Sequence, residues 1–361
     1  MTKSKELNLG FFHGNNTERQ QFQGSWFTAI FSLVFFIMIL SPVRSQSAEV
    51  DWPNRIKKFF TVDSGHELYV DFIPPERNHP TLVLLNGLTY STSDWDALTK
   101  NLRKKGFGVF RYDMYGMGKT LVKHGAVKDP VPYQDQLVDL ANLLDKFNLG
   151  QNIHLIGLSY GGAIALEFGR KYPERISELI VMAPYIAPLE QQDKWIKTQV
   201  WVARNANPFL TETDDELYDF FLKQFIYSTY PLAEPAILEN QYKLEAVFHL
   251  VQGIRKYNAN NFSQNFPENM HLMIGKNDQY ISNQVHLDFW NEIPANKRSS
   301  VIVIENCEHK IPEAVPLFAS QWIAEIVTGN LKLRHDARFV GFPYRGEAKS
   351  NTDTLIFPVE E

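Results

Sequence analysis

The sequence predicts an α/β fold in which a mostly parallel, eight-stranded sheet carries helices on both faces. Short apolar runs such as 80–85 and 179–183 alternate with segments such as 134–147, whose apolar residues recur at helical spacing. Continuous apolar runs are typical of parallel strands that are buried on both faces. A glycine-rich turn also joins one such run, 153–156, directly to a helical pattern. Together these observations favour strands and helices that alternate along the chain.

The individual elements can be placed in order. The first two strands flank Asp-Ser-Gly-His at 63–66, which predicts a hairpin, and right-handed crossovers are expected to join the later strands. The predicted strands are 59–62, 67–73, 80–85, 108–113, 153–156, 179–183, 271–274 and 300–304. The predicted helices are 95–105, 134–147, the segment after residue 159, 283–290 and 314–327.

The alternation pauses after Pro184 and divides the chain into a body and an insertion. Residues 185–266 are predicted to form helices and loops rich in large aromatic side chains. We interpret them as a helical cap over the carboxyl ends of the strands, where open α/β sheets bind ligands. The body then comprises 55–184 and 267–329. Residues 330–361 form a tail without a regular pattern.

Composition narrows the possible functions. The 361 residues carry a formal net charge of −5 and no long basic run, which argues against nucleic-acid binding. The sequence has no phosphate-binding loop and no cluster of metal ligands, so neither a cofactor nor a metal is expected. The single cysteine, Cys307, excludes an intrachain disulfide and is interpreted as a small buried residue.

The N-terminal region predicts targeting. Residues 1–25 are polar, and residues 26–40 form an apolar run without a charged residue. This run is shorter than the roughly 20 apolar residues that a spanning helix needs. Pro42 ends it, and small residues around Ser47 follow, as at a signal-peptidase site. Residues 1–47 are therefore expected to direct export to the periplasm or the cell exterior; an uncleaved membrane anchor is the alternative.

The turn between strand and helix has the pattern Gly-x-Ser-x-Gly at 157–161. In this context the pattern is a nucleophile elbow, which holds a serine in a strained backbone conformation at the end of a strand. Glycines are needed because larger side chains would collide with the neighbouring strand or helix. The pattern predicts Ser159 as a nucleophile. A glycine-rich turn that only packs the helix against the sheet is the alternative.

A serine hydroxyl is a poor nucleophile at neutral pH, so Ser159 requires a base, and the base requires a group that orients it. Asp278 follows the strand 271–274, and His309 follows the strand 300–304. Because the carboxyl ends of parallel strands meet at one edge of the sheet, both side chains are expected beside the serine. His309 is predicted as the general base and Asp278 as the acid that orients it.

Other residues fit these roles less well. Asp288 and Glu305 are weaker candidates for the acid, and Asp278 itself could instead begin a helix. His309 could be a histidine of a surface loop. Other histidines are predicted within a strand, in the cap or on a helix: His154, His249 and His286.

A site for acyl transfer also needs hydrogen-bond donors for the oxyanion that develops in the transition state. The backbone N–H of Tyr160, next to the nucleophile, is one predicted donor. The second is expected in the loop 86–89, where Gly87 lets the backbone turn inward and leaves the N–H of Leu88 as the donor. A simple Asn-Gly turn is the alternative.

From about residue 59 to residue 327 the chain resembles the α/β-hydrolase superfamily. The matching segments are the oxyanion loop, an Asp-x-x-Gly-x-Gly-x-Ser/Thr segment, the acid loop and the histidine loop, here at 82–91, 113–120, 275–278 and 307–309. Asn86 departs from the pattern, since the family often has histidine before the glycine.

The resemblance implies a serine hydrolase with the α/β-hydrolase fold, acting without a cofactor on a small-molecule ester, a lipid or another acyl substrate. Serine at 159 argues against the dehalogenase and epoxide-hydrolase branches, which use aspartate there. A thioesterase, a C–C hydrolase or a peptidase of the proline-iminopeptidase kind could use the same triad. The acidic segment 211–219 could capture an amino terminus, although it is more typical of a solvated helix start. A non-catalytic ligand-binding protein on this fold is the alternative from a different class.

Overall fold

The computed structural model describes residues 52–329, 336–343 and 355–358. Ten strands of this part of the chain form one sheet: β1 (Ile56–Thr61), β2 (Glu67–Ile73), β3 (Thr81–Leu85), β4 (Gly108–Asp113), β5 (Ile153–Leu158), β6 (Ile176–Met182), β7 (Met270–Gly275), β8 (Arg298–Ile304), β9 (Ala337–Phe342) and β10 (Leu355–Pro358). Their order is β1-β2-β4-β3-β5-β6-β7-β8-β9-β10. In this sheet order, all neighbours from β4 through β3 to β9 pair in parallel. β1 pairs antiparallel with β2, β2 with β4, and β10 with β9.

Helices follow most of the parallel strands. They are α1 (Asp96–Arg103), α2 (Gly118–His124), α3 (Tyr133–Lys146), α4 (Tyr160–Lys171), α5 (Glu190–Ala206), α6 (Asp214–Ala233), α7 (Lys243–Ile254), α8 (Asn283–Glu292), α9 (Ile311–Ala314) and α10 (Pro316–Val327). In the described part of the chain, no helix is both long and apolar enough to cross a membrane. The targeting segment predicted at 1–47 lies outside the described residues.

Two apolar layers enclose the sheet. Leu82 and Leu84 of β3 point to one face, where they join a buried cluster with α1 and α10. Val83 and Leu85 point to the other face, towards α3, α4 and α8. This alternation follows from the two-residue repeat of a strand, and it explains why both sets of positions are apolar. The predicted α/β class, with helices on both faces of a mostly parallel sheet, is confirmed.

The sheet has more strands than the eight predicted, because the tail adds β9 and β10. β9 lies parallel to β8, and Phe339 packs edge-on against Trp322 with ring centroids 5.0 Å apart. Asp336, just before β9, accepts a hydrogen bond of 2.7 Å from the indole of Trp290. Most residues of β9 are half-buried on both faces, so the strand lacks the apolar alternation that would have predicted it.

Helix boundaries also differ in two places. α2 was not predicted, and the last predicted helix, 314–327, begins two residues later, at Pro316, as α10, with the separate short helix α9 before it. Proline has no N–H to donate and fixes its own φ, so it begins the second helix rather than continuing the first. Cys307 is fully buried, as predicted.

Helices α5, α6 and α7 lie between β6 and β7, in the segment predicted as a cap. They share an apolar cluster that includes Ile196, Leu222, Ile226 and Val247. α7 also belongs to the core of the body through Leu250 and its last residue. α7 therefore packs on both the cap and the body, with a buried face towards each.

One group of aromatic residues packs within the cap. Trp195 packs against Phe221 and Phe225, with ring centroids 6.5 and 5.6 Å apart. Trp195 and Phe221 join the cap's apolar cluster, and none of the three rings lines the pocket described below. These three rings therefore pack against one another inside the cap.

Candidate active site

Ser159 lies between β5 and α4 at φ 51° and ψ −114°. A positive φ is uncommon for serine and is maintained only where the surroundings fix the backbone. Here the Ser159 N–H donates to the carbonyl of Met182 at 3.0 Å, and its carbonyl accepts from the N–H of Tyr185 at 2.9 Å. Both partners belong to β6 or the segment after it. The neighbouring strand thus holds the turn in the conformation that a nucleophile elbow requires.

The elbow glycines make the closest contacts of the turn. A Cβ atom at Gly157 would lie 2.3 Å from the carbonyl oxygen of Gly161. A Cβ atom at Gly161 would lie 2.4 Å from the carbonyl oxygen of Leu85 and 2.5 Å from that of Asn86. Only glycine fits at these two positions, because a side chain at Gly157 would push α4 away from β5, and one at Gly161 would push α4 away from β3 and the loop that follows it.

His309 and Asp278 are hydrogen-bonded at the ends of β8 and β7. Nδ1 of His309 lies 2.7 Å from Oδ2 of Asp278, and the aspartate side chain is fully buried. A carboxylate can only accept, so Nδ1 carries the proton in this bond and Nε2 is left as the basic nitrogen. This is the arrangement that orients a histidine as a general base.

The second carboxylate oxygen of Asp278 is held by backbone amides. Oδ1 accepts from the N–H of Tyr280 at 2.8 Å and from that of Ile281 at 3.0 Å. Burial alone would raise the pKa of Asp278, but the hydrogen bond and charge of His309, together with these amides, hold that pKa below its usual value. Ser282, not Asp278, caps α8, so the helix-start alternative for Asp278 does not describe its contacts.

Ser159 and His309 line the same pocket, together with Leu88 and Tyr160. Tyr160 is the first residue of α4, so its N–H has no partner within the helix. Among the backbone bonds found outside helices and strands in the described residues, neither the N–H of Tyr160 nor that of Leu88 donates to a carbonyl. Two backbone donors therefore remain available at the pocket, where the oxyanion donors were predicted.

A family model described as "Serine aminopeptidase, S33" matches residues 76–313, about two thirds of the chain. The chain belongs to this family of α/β-hydrolases. The match spans β3 to α9 and includes every residue of the candidate triad.

Individual relatives match over shorter stretches. A 2-hydroxy-6-oxononadienedioate/2-hydroxy-6-oxononatrienedioate hydrolase from Burkholderia vietnamiensis is 32% identical over 126 residues, which is 34% of this chain and 42% of that protein. A protein named uncharacterized carboxylesterase nap, from Bacillus subtilis, is 28% identical over 134 residues, which is 37% of this chain and 42% of that protein. The matched region thus spans less than half the length of these curated relatives.

Solved structures of α/β-hydrolases share the fold over most of the chain. A thermophilic esterase from Thermogutta terrifontis superposes with a TM-score of 0.54 at 20% identity, covering 76% of this chain and 98% of that one. The α/β-hydrolase MGS-M2, from a Medee basin deep-sea metagenome library, gives a TM-score of 0.57 at 20% identity, covering 77% of this chain and 99% of that one.

The weaker candidates of this α/β-hydrolase have other partners. Asp288 accepts from Gln284 on α8, and Glu305 forms an ion pair with Lys276. His286 is buried and donates from Nε2 to the carbonyl of Pro184 at 3.2 Å. Burial lowers the pKa of His286 to about 4, so this imidazole stays neutral at physiological pH.

Asn86, the departure from the superfamily pattern, anchors the loop that carries Leu88. Its side chain is fully buried; Nδ2 donates to the carbonyl of Tyr112 at 3.1 Å, and Oδ1 accepts from the indole of Trp95 at 2.8 Å. Nδ2 also lies 3.4 Å from Asp113, whose pKa burial raises to about 6 although the amides of Lys119 and Thr92 donate to it. The Asn86 side chain therefore holds the loop through its bonds to Tyr112 and Trp95, and it does not line the pocket.

Several residues of the pocket wall were not predicted from the sequence. Glu234 and Lys310 form an ion pair there, and Tyr185, Tyr230 and Tyr280 add phenol rings. The position of Lys310 directly after His309 was a usable signal. Glu234 had none, because its place depends on how the cap folds over the body.

Alanine at Gly161 is expected to destabilise this hydrolase more than alanine at Gly87. A methyl group at 161 would force two carbonyl oxygens to move, and overpacking of this kind costs about 1–3 kcal/mol. A methyl group at Gly87 would make an ordinary contact of 3.4 Å with Leu158. Urea unfolding of both variants measures the difference in the free energy of unfolding; equal values would contradict the role given to the elbow contact.

Proposed function

We propose that this chain is a serine hydrolase that cleaves a carboxylic ester through an acyl-enzyme intermediate on Ser159. One observation carries the proposal. Ser159, in a strained elbow at the end of β5, shares a pocket with His309, and Asp278 holds the opposite nitrogen of that imidazole at 2.7 Å. A serine nucleophile requires this combination of exposed hydroxyl, basic nitrogen and orienting carboxylate.

The proposed reaction proceeds in two halves. Nε2 of His309 takes the proton of the Ser159 hydroxyl as its oxygen attacks the ester carbonyl, and the N–H groups of Leu88 and Tyr160 stabilise the oxyanion. The imidazolium then returns the proton to the leaving alcohol. Water, deprotonated by the same nitrogen, attacks the acyl-enzyme, and the imidazolium returns that proton to the Ser159 oxygen as the acid is released. Asp278 stabilises the imidazolium in both halves.

The pocket favours an uncharged acyl group. Its walls are largely apolar or aromatic, formed by side chains such as Leu88, Leu158, Tyr185, Leu189, Val251, Ile254 and Ile281. Among the described residues that line the pocket, Lys310 is the only one that is a lysine or an arginine. Its ammonium group forms an ion pair with Glu234. A neutral ester therefore fits without breaking this ion pair. The carboxylesterase name of the Bacillus subtilis relative supports the same substrate class.

A C–C hydrolase is the second candidate, favoured by the Burkholderia vietnamiensis relative. The substrate in that relative's name is a dicarboxylate. A dianion in this pocket would have to compete with Glu234 for Lys310, which makes a neutral ester the better fit.

An aminopeptidase reaction, as in the family description, would need a carboxylate available for a substrate's amino terminus. The acidic residues of α6 have partners within the cap: Asp214 pairs with Arg204, Asp215 with Lys256, and Asp219 with Arg255. Glu216 forms a capping box with Thr213. Glu234 in the pocket pairs with Lys310. These contacts favour the ester over the peptide.

We also propose that residues 1–47 direct export, or retain the protein at a membrane. The support is the sequence: the apolar run 26–40 and the small residues around Ser47. On this proposal the hydrolase acts in the periplasm, outside the cell or at the membrane surface.

Substitution of the triad tests the proposed chemistry. Ser159→Ala is expected to reduce turnover of short 4-nitrophenyl esters to background, and Asp278→Asn to lower kcat by about 10³–10⁴-fold because the histidine loses its orienting charge. Asp288→Asn serves as the matched control, since this carboxylate binds Gln284 rather than His309, and should retain wild-type kcat. Ester turnover that survives in Ser159→Ala would refute the proposal.

The mass of the mature protein tests the targeting proposal. Expression in a host with a secretory pathway should yield a chain that lacks about the first 47 residues, or an intact chain in the membrane fraction. An intact chain recovered entirely in the soluble fraction would contradict both forms of the proposal.

A further inference from the structure

We propose that the Glu234–Lys310 ion pair is a positioning element, which fastens the end of cap helix α6 to the histidine loop and balances charge beside His309. The inference rests on the hydrolase function proposed above. It concerns two residues that do not touch the reacting atoms and that no step of the proposed reaction uses.

Glu234 extends from a fixed point of the cap. It caps the C-terminus of α6, where its N–H donates to the carbonyl of Tyr230 at 2.8 Å and its carbonyl accepts from the N–H of Ile237 at 2.9 Å. The side chain is 18% exposed and lines the pocket that contains Ser159. The position of the Glu234 side chain therefore depends on where the cap lies over the nucleophile.

Lys310 provides an equally fixed partner on the body. Nζ lies 3.2 Å from Oε1 of Glu234, and the residue directly follows His309. The Lys310 carbonyl accepts from the amides of Glu313 and Ala314, which form the first turn of α9. The ion pair thus joins two backbone segments that are both held by hydrogen bonds.

The same carboxylate reaches the loops that carry the other parts of the site. Burial would raise the pKa of Glu234, but the charge of Lys310 and hydrogen bonding with Thr89 hold it below its usual value. Thr89 directly follows Leu88, the proposed oxyanion donor. Tyr280 also lies in the field of this carboxylate, and its ring packs edge-on against His309 at 5.0 Å. Glu234 thereby contacts the histidine, oxyanion and acid loops.

Stability alone gives little reason for an ion pair at this place. Desolvation opposes the burial of two charges, and apolar replacements of such pairs are often neutral for stability or stabilising. Its position beside the general base suggests an electrostatic role. The charged or titratable groups around His309 are Asp278, Tyr280, His286, Glu308, Glu234 and Lys310, and those around the ion pair itself include Tyr90, Tyr230, Lys243 and Glu313. Within this set, Glu234 and Lys310 cancel each other.

Removal of either partner should therefore shift the pH dependence of catalysis in opposite directions. In Glu234→Gln the unpaired Lys310 disfavours the imidazolium, so the acid limb of the kcat/KM profile should move to lower pH. In Lys310→Met the unpaired Glu234 should move it to higher pH. The double variant should return the limb towards the wild-type position. Each single variant should also lower kcat by about tenfold, because the loops lose their common fixed point.

The experiment measures kcat, KM and the pH profile of kcat/KM with 4-nitrophenyl acetate for the wild type, the two single variants and the double variant. Glu245→Gln is the matched control, since it breaks the 2.9 Å ion pair with Lys223 that joins α6 to α7 inside the cap. Control kinetics should match the wild type. Thermal melting accompanies each variant; should Glu234→Gln not fold, Glu234→Asp, which retains the charge, is expected to keep the wild-type limb while Lys310→Met moves it.

The inference would be overturned if the acid limb moved in the same direction in the two single variants. It would also be overturned if the two reductions in kcat multiplied in the double variant. Single variants that behave like Glu245→Gln would overturn it as well. In each of these cases the wild type remains an active, Ser159-dependent esterase, and the proposed function stands. A wild type without Ser159-dependent turnover would overturn the proposed function and, with it, this inference.

Discussion

The strained backbone at Ser159 is maintained by two sets of close contacts, and the rest of the site is arranged around it. Hydrogen bonds to Met182 and Tyr185 fix the turn from the side of β6. Gly157 lets α4 start close to β5, and Gly161 lets it lie against β3 and the loop that carries Leu88. Because the same contact places both the nucleophile and the oxyanion loop, a shift of α4 would displace the hydroxyl and both amide donors together.

Around this turn the body supplies chemistry and the cap supplies the remaining wall of the pocket. Asp278 and His309 come from loops after adjacent parallel strands, so their separation is set by the spacing of the sheet. The pocket wall above them includes Tyr230 and Glu234 from the cap. The ion pair between Glu234 and Lys310 links the two parts at the point where a change in cap position would affect the histidine loop most directly.

The sequence predicted the body far better than the cap or the tail. Strands buried on both faces give continuous apolar runs, and the elbow needs glycine at fixed positions, so Ser159, Asp278 and His309 could be placed from local patterns and strand order. Glu234 could not, because its approach to Lys310 depends on the path of three cap helices. β9 was missed because its residues are almost all half-buried, so the strand has no strong apolar repeat. The helix of the Asp-x-x-Gly-x-Gly-x-Thr segment, α2, was missed because it is short and has few buried residues.

The most direct measurement maps the residue that a fluorophosphonate probe modifies. After labelling and tryptic digestion, the peptide 147–170 contains Ser159 as its only serine. The proposed mechanism predicts one probe adduct per chain, located on Ser159 within this peptide and lost in Ser159→Ala. An adduct on another residue, or no adduct on a folded protein, would contradict the assignment of Ser159 as the nucleophile.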